Sequence, residues 1–297
     1  MSGRLQPGHG TLAALETAVL ARWAQHLRVP PNDLLLMASG TEAVRTAAHA
    51  LLAPADVALL AQPIAPEWVN VVLSTGAAYI DVGRTFATLG PANACPGGWH
   101  RLAAERCARE HPGAVAILEQ PAWTGADDGA LAATLGVRAA IVDARRGGGC
   151  RGEPLPELRA ALTIVALRDP DAASAQPVLC ALVARSGEGR ALRAAVGAAE
   201  VPLPALRHAL AVLDGLGRDG GWEQALWQRT AARYAEWTRL LADRPGVLIF
   251  APAGVEAAAL CQAGDGVAVV EDLASVFPAA LAWPVTPMHG LITTPLI

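Results

Sequence analysis

The sequence predicts an α/β fold: a three-layer sandwich with a mostly parallel sheet, followed by a reduced C-terminal α+β domain. Short, fully apolar runs alternate with helical patterns over most of the chain, which is typical of parallel strands buried on both faces. The 297 residues are 53% hydrophobic and 17% charged, which supplies enough apolar material for a large core.

The predicted elements follow one another in a regular order. Apolar residues three or four apart predict a leading helix over 11–29, which ends before two prolines. A strand, a tight turn and a helix are predicted over 34–52. Further strands are predicted at 57–61, 78–82, 115–118, 139–142, 162–167 and 178–184, with helices after Pro66 and near 128–135 and 155–161.

From about residue 187 the pattern becomes helical, with one long predicted helix over 221–242. Strand-like pieces follow at 247–250 and 267–270. We therefore divide the chain into an N-terminal helical arm (1–30), a large domain (31–215), and a linking helix with a small domain (216–297).

Charge and cysteine content exclude several classes of function. The 23 basic residues are all arginine, so the chain has no lysine, and 27 acidic residues bring the net charge to −4. This balance argues against nucleic-acid or polybasic membrane binding. Five cysteines without a Cys-x-x-Cys pair, and seven histidines without metal-type spacing, predict neither disulfides nor a metal site. No signal peptide or long apolar run is evident, so we expect a soluble, cytoplasmic protein.

Two sites at strand ends are candidates for ligand binding. Ser39, Gly40 and Thr41 begin a predicted helix, where free N–H groups favour an anion, although the same residues could simply cap the helix. Asp143 ends an apolar strand, where ligands of open α/β sheets bind, but it could equally be an N-cap or a solvated strand end.

The glycine-rich stretch after this strand offers weaker candidates. Cys150 could be a nucleophile, but an inert thiol in a flexible loop is favoured. Arg145, Arg146 and Arg151 could bind phosphate or carboxylate, with a solvated loop as the favoured interpretation.

Residues 34–83, which contain the segment LLLMASGTEAVRTAAHALL, resemble the opening of the coenzyme domain in fold-type I pyridoxal-phosphate enzymes, the aspartate aminotransferase-like superfamily. The likeness continues through LEQPAWTG at 118–125, AAIVDARRGG at 139–148 and LTIVALRD at 162–169. The resemblance implies that Ser39, Gly40 and Thr41 hold the coenzyme phosphate and that Asp143 pairs with the pyridine nitrogen. It also implies an aromatic over the ring, for which Trp68 is the candidate.

The chain departs from this superfamily where the chemistry resides. The resemblance requires a lysine after the strand that ends in LRD, but Arg168 and Asp169 stand there. Arginine remains protonated and is not a competent amine nucleophile, so no Schiff base can form on this chain's side chains. Ala122 replaces the expected asparagine, Arg146 replaces an expected aromatic, and no arginine follows Arg244 to bind a substrate carboxylate.

Three hypotheses about function follow. The first is a catalytically degenerate aminotransferase-like protein, either a non-covalent binder of a small anionic ligand or a structural subunit. It would form a homodimer or a heteromer with a lysine-bearing homologue, and the leading apolar helix fits such docking. The second is an enzyme that uses pyridoxal or pyridoxamine phosphate non-covalently, with Asp169 as the first candidate base, although neighbouring Arg168 would lower the pKa of that carboxylate. The third is a nucleotide-dependent doubly wound enzyme, for which no fingerprint is present.

Overall fold

The computed structural model describes residues 11–62, 64–65, 67–83, 99–119, 135–145, 161–169, 177–184, 200–219, 239, 247–250, 258–263 and 266–270. Predictions for Pro66, Arg146, Cys150, Arg151 and most of the helices at 128–135, 155–161 and 221–242 therefore lie outside the described residues.

The leading helix α1 (Leu12–Leu27) confirms the first predicted element. The Thr11 hydroxyl caps it by accepting a 3.2 Å hydrogen bond from the Ala14 N–H. It ends at Arg28, whose φ of 55° is in the left-handed region and whose N–H bonds back into the last turn.

The predicted strand–turn–helix unit and the strands that follow it are confirmed. Their bounds are β1 (Leu34–Met37), α2 (Gly40–Leu51), β2 (Val57–Leu60), α3 (Glu67–Ser74), β3 (Ala78–Asp81), α4 (Arg101–Glu110), β4 (Val115–Glu119), β5 (Ala139–Asp143), β6 (Ala161–Leu167), β7 (Leu179–Ala184) and α5 (Leu203–Asp219). A short 3-10 turn, Pro31–Asp33, leads into β1. Helix α4 has no counterpart in the sequence prediction.

The first seven strands form one sheet in the order β1-β7-β6-β5-β4-β2-β3. The neighbouring pairs from β6 to β3 are parallel, whereas β7 is antiparallel to both β6 and β1. The sheet is therefore mostly parallel, as predicted, and the carboxyl ends of β1, β2, β4, β5 and β6 all lie along one edge.

Helices cover both faces of this sheet, which confirms the three-layer sandwich. Successive strand residues point to opposite faces. On β5, Ile141 packs in the cluster formed with α2 and α3, while Val142 packs in the cluster formed with α4. A third cluster joins α1 and α5 to the face presented by β1, β6 and β7.

The apolar stripe of α1 is buried inside this chain. Leu15, Val19, Trp23 and Leu27 are each at most 1% exposed and pack against α5 and the sheet. This part of the stripe is therefore covered within the chain, whereas Leu12 at the start of the helix is 50% exposed.

A separate three-stranded antiparallel sheet is formed by β8 (Val247–Phe250), β9 (Ala258–Ala263) and β10 (Gly266–Val270), in the order β10-β9-β8. The outer two strands were predicted from their apolar runs, and β9 was not. Within the described part of the chain, no helix combines the length and apolarity needed to cross a bilayer.

Truncation of Leu15 tests the packing of α1. Because Leu15 is 1% exposed and Leu12, on the same helix, is 50% exposed, the same substitution should have different effects at the two positions. We expect Leu15→Ala to lower the free energy of unfolding by about 2–5 kcal/mol and Leu12→Ala to change it by less than about 0.5 kcal/mol. Urea unfolding measures both. Equal losses would contradict the burial of this stripe.

Candidate functional site

The candidate residues gather at the sheet edge where the parallel strands end. The Ser39–Gly40–Thr41 segment follows β1, Asp143 is the last residue of β5, and Arg168 and Asp169 follow β6. Trp68 lies in the first turn of α3, and its indole contacts Asp143. The structure thus brings Trp68 to Asp143. Arg145, which the sequence analysis raised only as a weaker candidate, lies between Asp143 and Gly40.

Ser39 caps helix α2. Its hydroxyl oxygen accepts a 3.1 Å hydrogen bond from the Glu42 N–H, and the Glu42 carboxylate accepts a 2.9 Å bond from the Ala38 N–H. This reciprocal arrangement closely resembles a capping box. The geometry therefore satisfies the capping interpretation of Ser39, and the exposed Thr41 hydroxyl lies 3.5 Å from the Glu67 carboxylate.

Asp143 is a buried carboxylate, 5% exposed, with hydrogen bonds to both of its oxygens. Oδ1 accepts from the Arg145 backbone N–H at 3.2 Å and from Arg145 Nε at 2.8 Å. Oδ2 accepts from Trp68 Nε1 at 2.9 Å and from Arg145 Nη2 at 2.6 Å. A carboxylate offers about four acceptor positions, so these four donors saturate it. Asp143 is therefore not a solvated strand end.

Arg145 supplies three of those four donors and also reaches a second carboxylate. Its Nη2 donates to Glu67 Oε1 at the start of α3 as well as to Asp143. The Arg145 side chain is 17% exposed, so the expectation that this residue belongs to a solvated loop is wrong. The sequence analysis raised binding of a phosphate or carboxylate ligand as the alternative for Arg145; the carboxylates that it contacts belong to this chain.

The protonation states follow from this pairing. Burial alone would raise the pKa of Asp143, but the charge of Arg145 and the hydrogen bonds from Arg145 and Trp68 outweigh it and lower that pKa. Burial alone would lower the pKa of Arg145, yet Asp143 and Glu67 raise it. Asp143 is therefore an anion and Arg145 a cation at neutral pH.

The Arg145 guanidinium lies against the turn that begins α2. A Cβ placed on Gly40 would approach Arg145 Nη1 to 2.6 Å, a separation that real Cβ atoms essentially never show. A side chain at position 40 would therefore require the Arg145 guanidinium to move, and that guanidinium is held by Asp143 and Glu67. Because glycine has a hydrogen atom in place of a side chain, position 40 leaves space for the guanidinium.

The coenzyme implied by the resemblance can be tested against this arrangement. A pyridine nitrogen needs an acceptor on Asp143, but all of the acceptor positions of that carboxylate are taken by Arg145 and Trp68. The Trp68 indole is fully buried and directs its N–H at Asp143. With Arg145 also beside Gly40, the residues as arranged do not fit the coenzyme in the mode that the resemblance implies.

The position expected to carry a lysine has different interactions. Arg168 Nε donates to the Arg145 carbonyl oxygen at 3.3 Å, and Asp169 Oδ2 lies 2.7 Å from Nε2 of His208 on α5. Asp169 is therefore joined to a histidine that the sequence analysis left unassigned. The His208 side chain is 49% exposed.

Two further carboxylates of this edge were missed. Glu67 contacts Arg145, which is 78 residues away in sequence, so no local motif signals their pairing. Glu119 is 3% exposed, is paired with Asp143 in the register of β4 and β5, and accepts a 3.2 Å hydrogen bond from the Ala65 N–H. Within the described residues, no group of three or more His, Cys, Asp or Glu side chains is arranged to hold a metal ion.

Comparison with solved structures identifies the fold. The chain is similar to N-succinyldiaminopimelate aminotransferase from Mycobacterium tuberculosis (TM-score 0.61, 20% identity, 85% of this chain and 68% of that chain). It is also similar to alanine aminotransferase from Pyrococcus furiosus (0.59, 15%, 84% and 67%) and to aspartate aminotransferase from Thermus thermophilus with maleate (0.57, 13%, 83% and 66%). No protein-family model and no curated protein sequence matches the chain.

These similarities show the aspartate aminotransferase-like fold, which confirms the resemblance inferred from the sequence. The chain spans about two thirds of the length of these three aminotransferases. At these identities the comparison establishes the fold, and the assignment of function depends on the site.

Substitution of Asp143 tests its ionisation. Because its pKa is lowered in the folded protein, the charged form contributes stability above the ordinary value of about 3.9 and loses it as pH falls through the lower folded value. We expect Asp143→Asn to cost about 3 kcal/mol at pH 7, and the difference from the wild type to shrink below about pH 4. Urea unfolding across this pH range measures it. Glu110→Gln, in an exposed pair 4.0 Å from Arg106, serves as the control and should change little. A difference that grows on acidification would contradict the ion pair.

Gly40→Ala tests the close approach of Arg145. The added methyl group must displace a guanidinium that two carboxylates hold, so we expect a loss of about 1–3 kcal/mol in unfolding free energy. Gly215→Ala, at a helical glycine with open space around it, should instead stabilise α5 by about 0.5–1 kcal/mol. In an Arg145→Ala background the cost of Gly40→Ala should disappear. Persistence of the full cost there would mean that Arg145 is not what Gly40 accommodates.

Proposed function

We propose that this chain is a catalytically degenerate protein with the aminotransferase-like fold, acting as a ligand-binding or structural subunit of a homodimer or heteromer. One observation carries the proposal: Asp143, the residue that would hold the coenzyme ring, has both oxygens engaged by Arg145 and Trp68. A carboxylate saturated by its own chain has no acceptor position left for a ring nitrogen.

The amino-acid content supports the same proposal. The sequence contains no lysine, and Arg168 and Asp169 follow the strand after which the resemblance expects one. A Schiff base requires an amine that can lose its proton, and arginine does not do so in proteins. Any lysine-dependent chemistry in an assembly would therefore require the lysine of another chain, which is the reason for proposing a lysine-bearing homologue as partner.

The described residues also bear on which ligand such a subunit would take. A small anionic ligand remains part of the proposal, because helix α2 begins at the half-buried Gly40 and the exposed Thr41, where backbone N–H groups favour an anion and Arg145 lies alongside. We also propose a cytoplasmic location. It is supported by Cys107 and Cys180, which are buried free thiols, as a reducing compartment would maintain.

A second candidate is an enzyme that uses pyridoxal or pyridoxamine phosphate without a covalent bond. One observation favours it: His208 and Asp169 form a 2.7 Å pair at the strand end where the lysine is expected, and a histidine oriented by a carboxylate is a common proton-transfer group. Against it stands Asp143, which has no acceptor position free for the coenzyme ring.

Titration with pyridoxal phosphate distinguishes the two candidates. For a closed site we expect no saturable absorbance change, and after borohydride reduction no coenzyme on any peptide other than the terminal one, whose α-amine reacts in any protein. A saturable change without trapping would favour the non-covalent enzyme. Loss of that change in His208→Ala, with Arg106→Ala as the exposed control, would assign it to the His208–Asp169 pair. Coenzyme fixed to an interior peptide would refute both candidates.

Purification from the native host tests the proposed partner. We expect a dimer or heteromer in which any second component is a lysine-bearing homologue of this chain. A strictly monomeric protein would contradict the proposed subunit role.

A further inference from the structure

The guanidinium of Arg145 is bound as a ligand would be, on several sides and by groups from different elements. Two N–H groups, on Nε and Nη2, face the two oxygens of Asp143 at 2.8 and 2.6 Å. Nη2 also donates to Glu67 of α3, and Nη1 lies over Gly40 of α2. The main acceptor of this guanidinium, Asp143, is the last residue of β5, and Arg145 follows it by two residues.

We propose that Asp143, Glu67 and Gly40 form a binding site for a planar cation and that Arg145 is its built-in occupant. The inference deepens the proposed function and rests on it, because it names what fills the site in place of a coenzyme. When the guanidinium is removed, the site should take an alkylguanidinium from solution.

The shape of the site selects a planar, forked donor. Asp143 receives two roughly parallel N–H groups, a bidentate geometry that guanidinium provides and an ammonium group does not. Gly40 leaves space for a flat group beside the helix start, where a Cβ would come within 2.6 Å of Nη1.

The charge of the site selects a cation. Asp143 is 5% exposed and the Glu67 side chain is 28% exposed, so without Arg145 two carboxylates would be left close together and only partly hydrated. A buried, uncompensated carboxylate is strongly destabilising, so a cation that restores the pairing should be bound with a measurable gain in stability. A neutral molecule of the same shape should not restore it.

Complementation of Arg145→Ala by ethylguanidinium tests this proposal. Alanine keeps Cβ, and ethylguanidinium supplies the missing Cγ, Cδ and guanidinium atoms. We expect Arg145→Ala to melt well below the wild type, and ethylguanidinium at ten times its dissociation constant to raise its Tm by roughly 2–4 °C. N-ethylurea, which has the same shape and no charge, and ethylammonium, which has the charge without the fork, should have much smaller effects at equal ionic strength.

Three variants serve as matched controls. Arg106→Ala removes an exposed arginine whose pair with Glu110 is 4.0 Å long, so ethylguanidinium should not stabilise it. Arg145→Met fills the space with an apolar chain and should also show no response. The double variant Asp143→Asn with Arg145→Ala lacks the principal acceptor and should lose at least tenfold in affinity for ethylguanidinium, as measured by calorimetry.

Each outcome decides for or against the cation site. If Arg145→Ala folds only when ethylguanidinium is present, as judged by circular dichroism, the proposal is supported. If the variant is unfolded with and without it, or responds equally to ethylguanidinium and N-ethylurea, the proposal is overturned. A wild-type protein that binds pyridoxal phosphate would refute the proposed function separately, because the complementation experiment contains no coenzyme.

Discussion

The ion pair between Asp143 and Arg145 determines what this sheet edge can do. It joins the end of β5 to the first turn of α3 through Glu67 and to the first turn of α2 through the space at Gly40. Removing one member of the pair would leave the other as an uncompensated charge in a poorly hydrated site, which is strongly destabilising. The three elements therefore meet at one side chain, whose nitrogens occupy acceptor positions on both oxygens of Asp143.

This arrangement keeps the electrostatic pattern of a ligand site while changing its occupant. The resemblance implies a coenzyme cation opposite the aspartate, and in this structure the cation that faces Asp143 is the guanidinium of Arg145, two residues further along the chain. Trp68 completes the shell by directing its indole N–H at Asp143. The buried carboxylate is thus neutralised by a residue of the same chain.

Most of the fold could be predicted because its signals are local. Apolar runs such as those of β4 and β5 indicate buried strands, and the Ser39–Gly40 turn marks the start of α2. Helix α4 was missed because its buried face consists mainly of alanines and Cys107 among charged residues. In the site, Asp143 and Trp68 were identified as candidates, but their contact was not. Arg145 also contacts Glu67 and lies against Gly40, and because both are distant in sequence, local pattern could not reveal these two contacts.

The antiparallel strand β7 has a consequence for how the chain assembles. Among the described strands β1 pairs only with β7, and Leu34–Met37 lie opposite Cys180–Val183. Helix α1 packs on α5, which follows β7 in the sequence. During synthesis α1 and β1 therefore wait for α5 and β7 before their apolar surfaces are covered. Such long-range pairing slows folding and leaves the apolar faces of α1 and β1 exposed until the later elements have been synthesised.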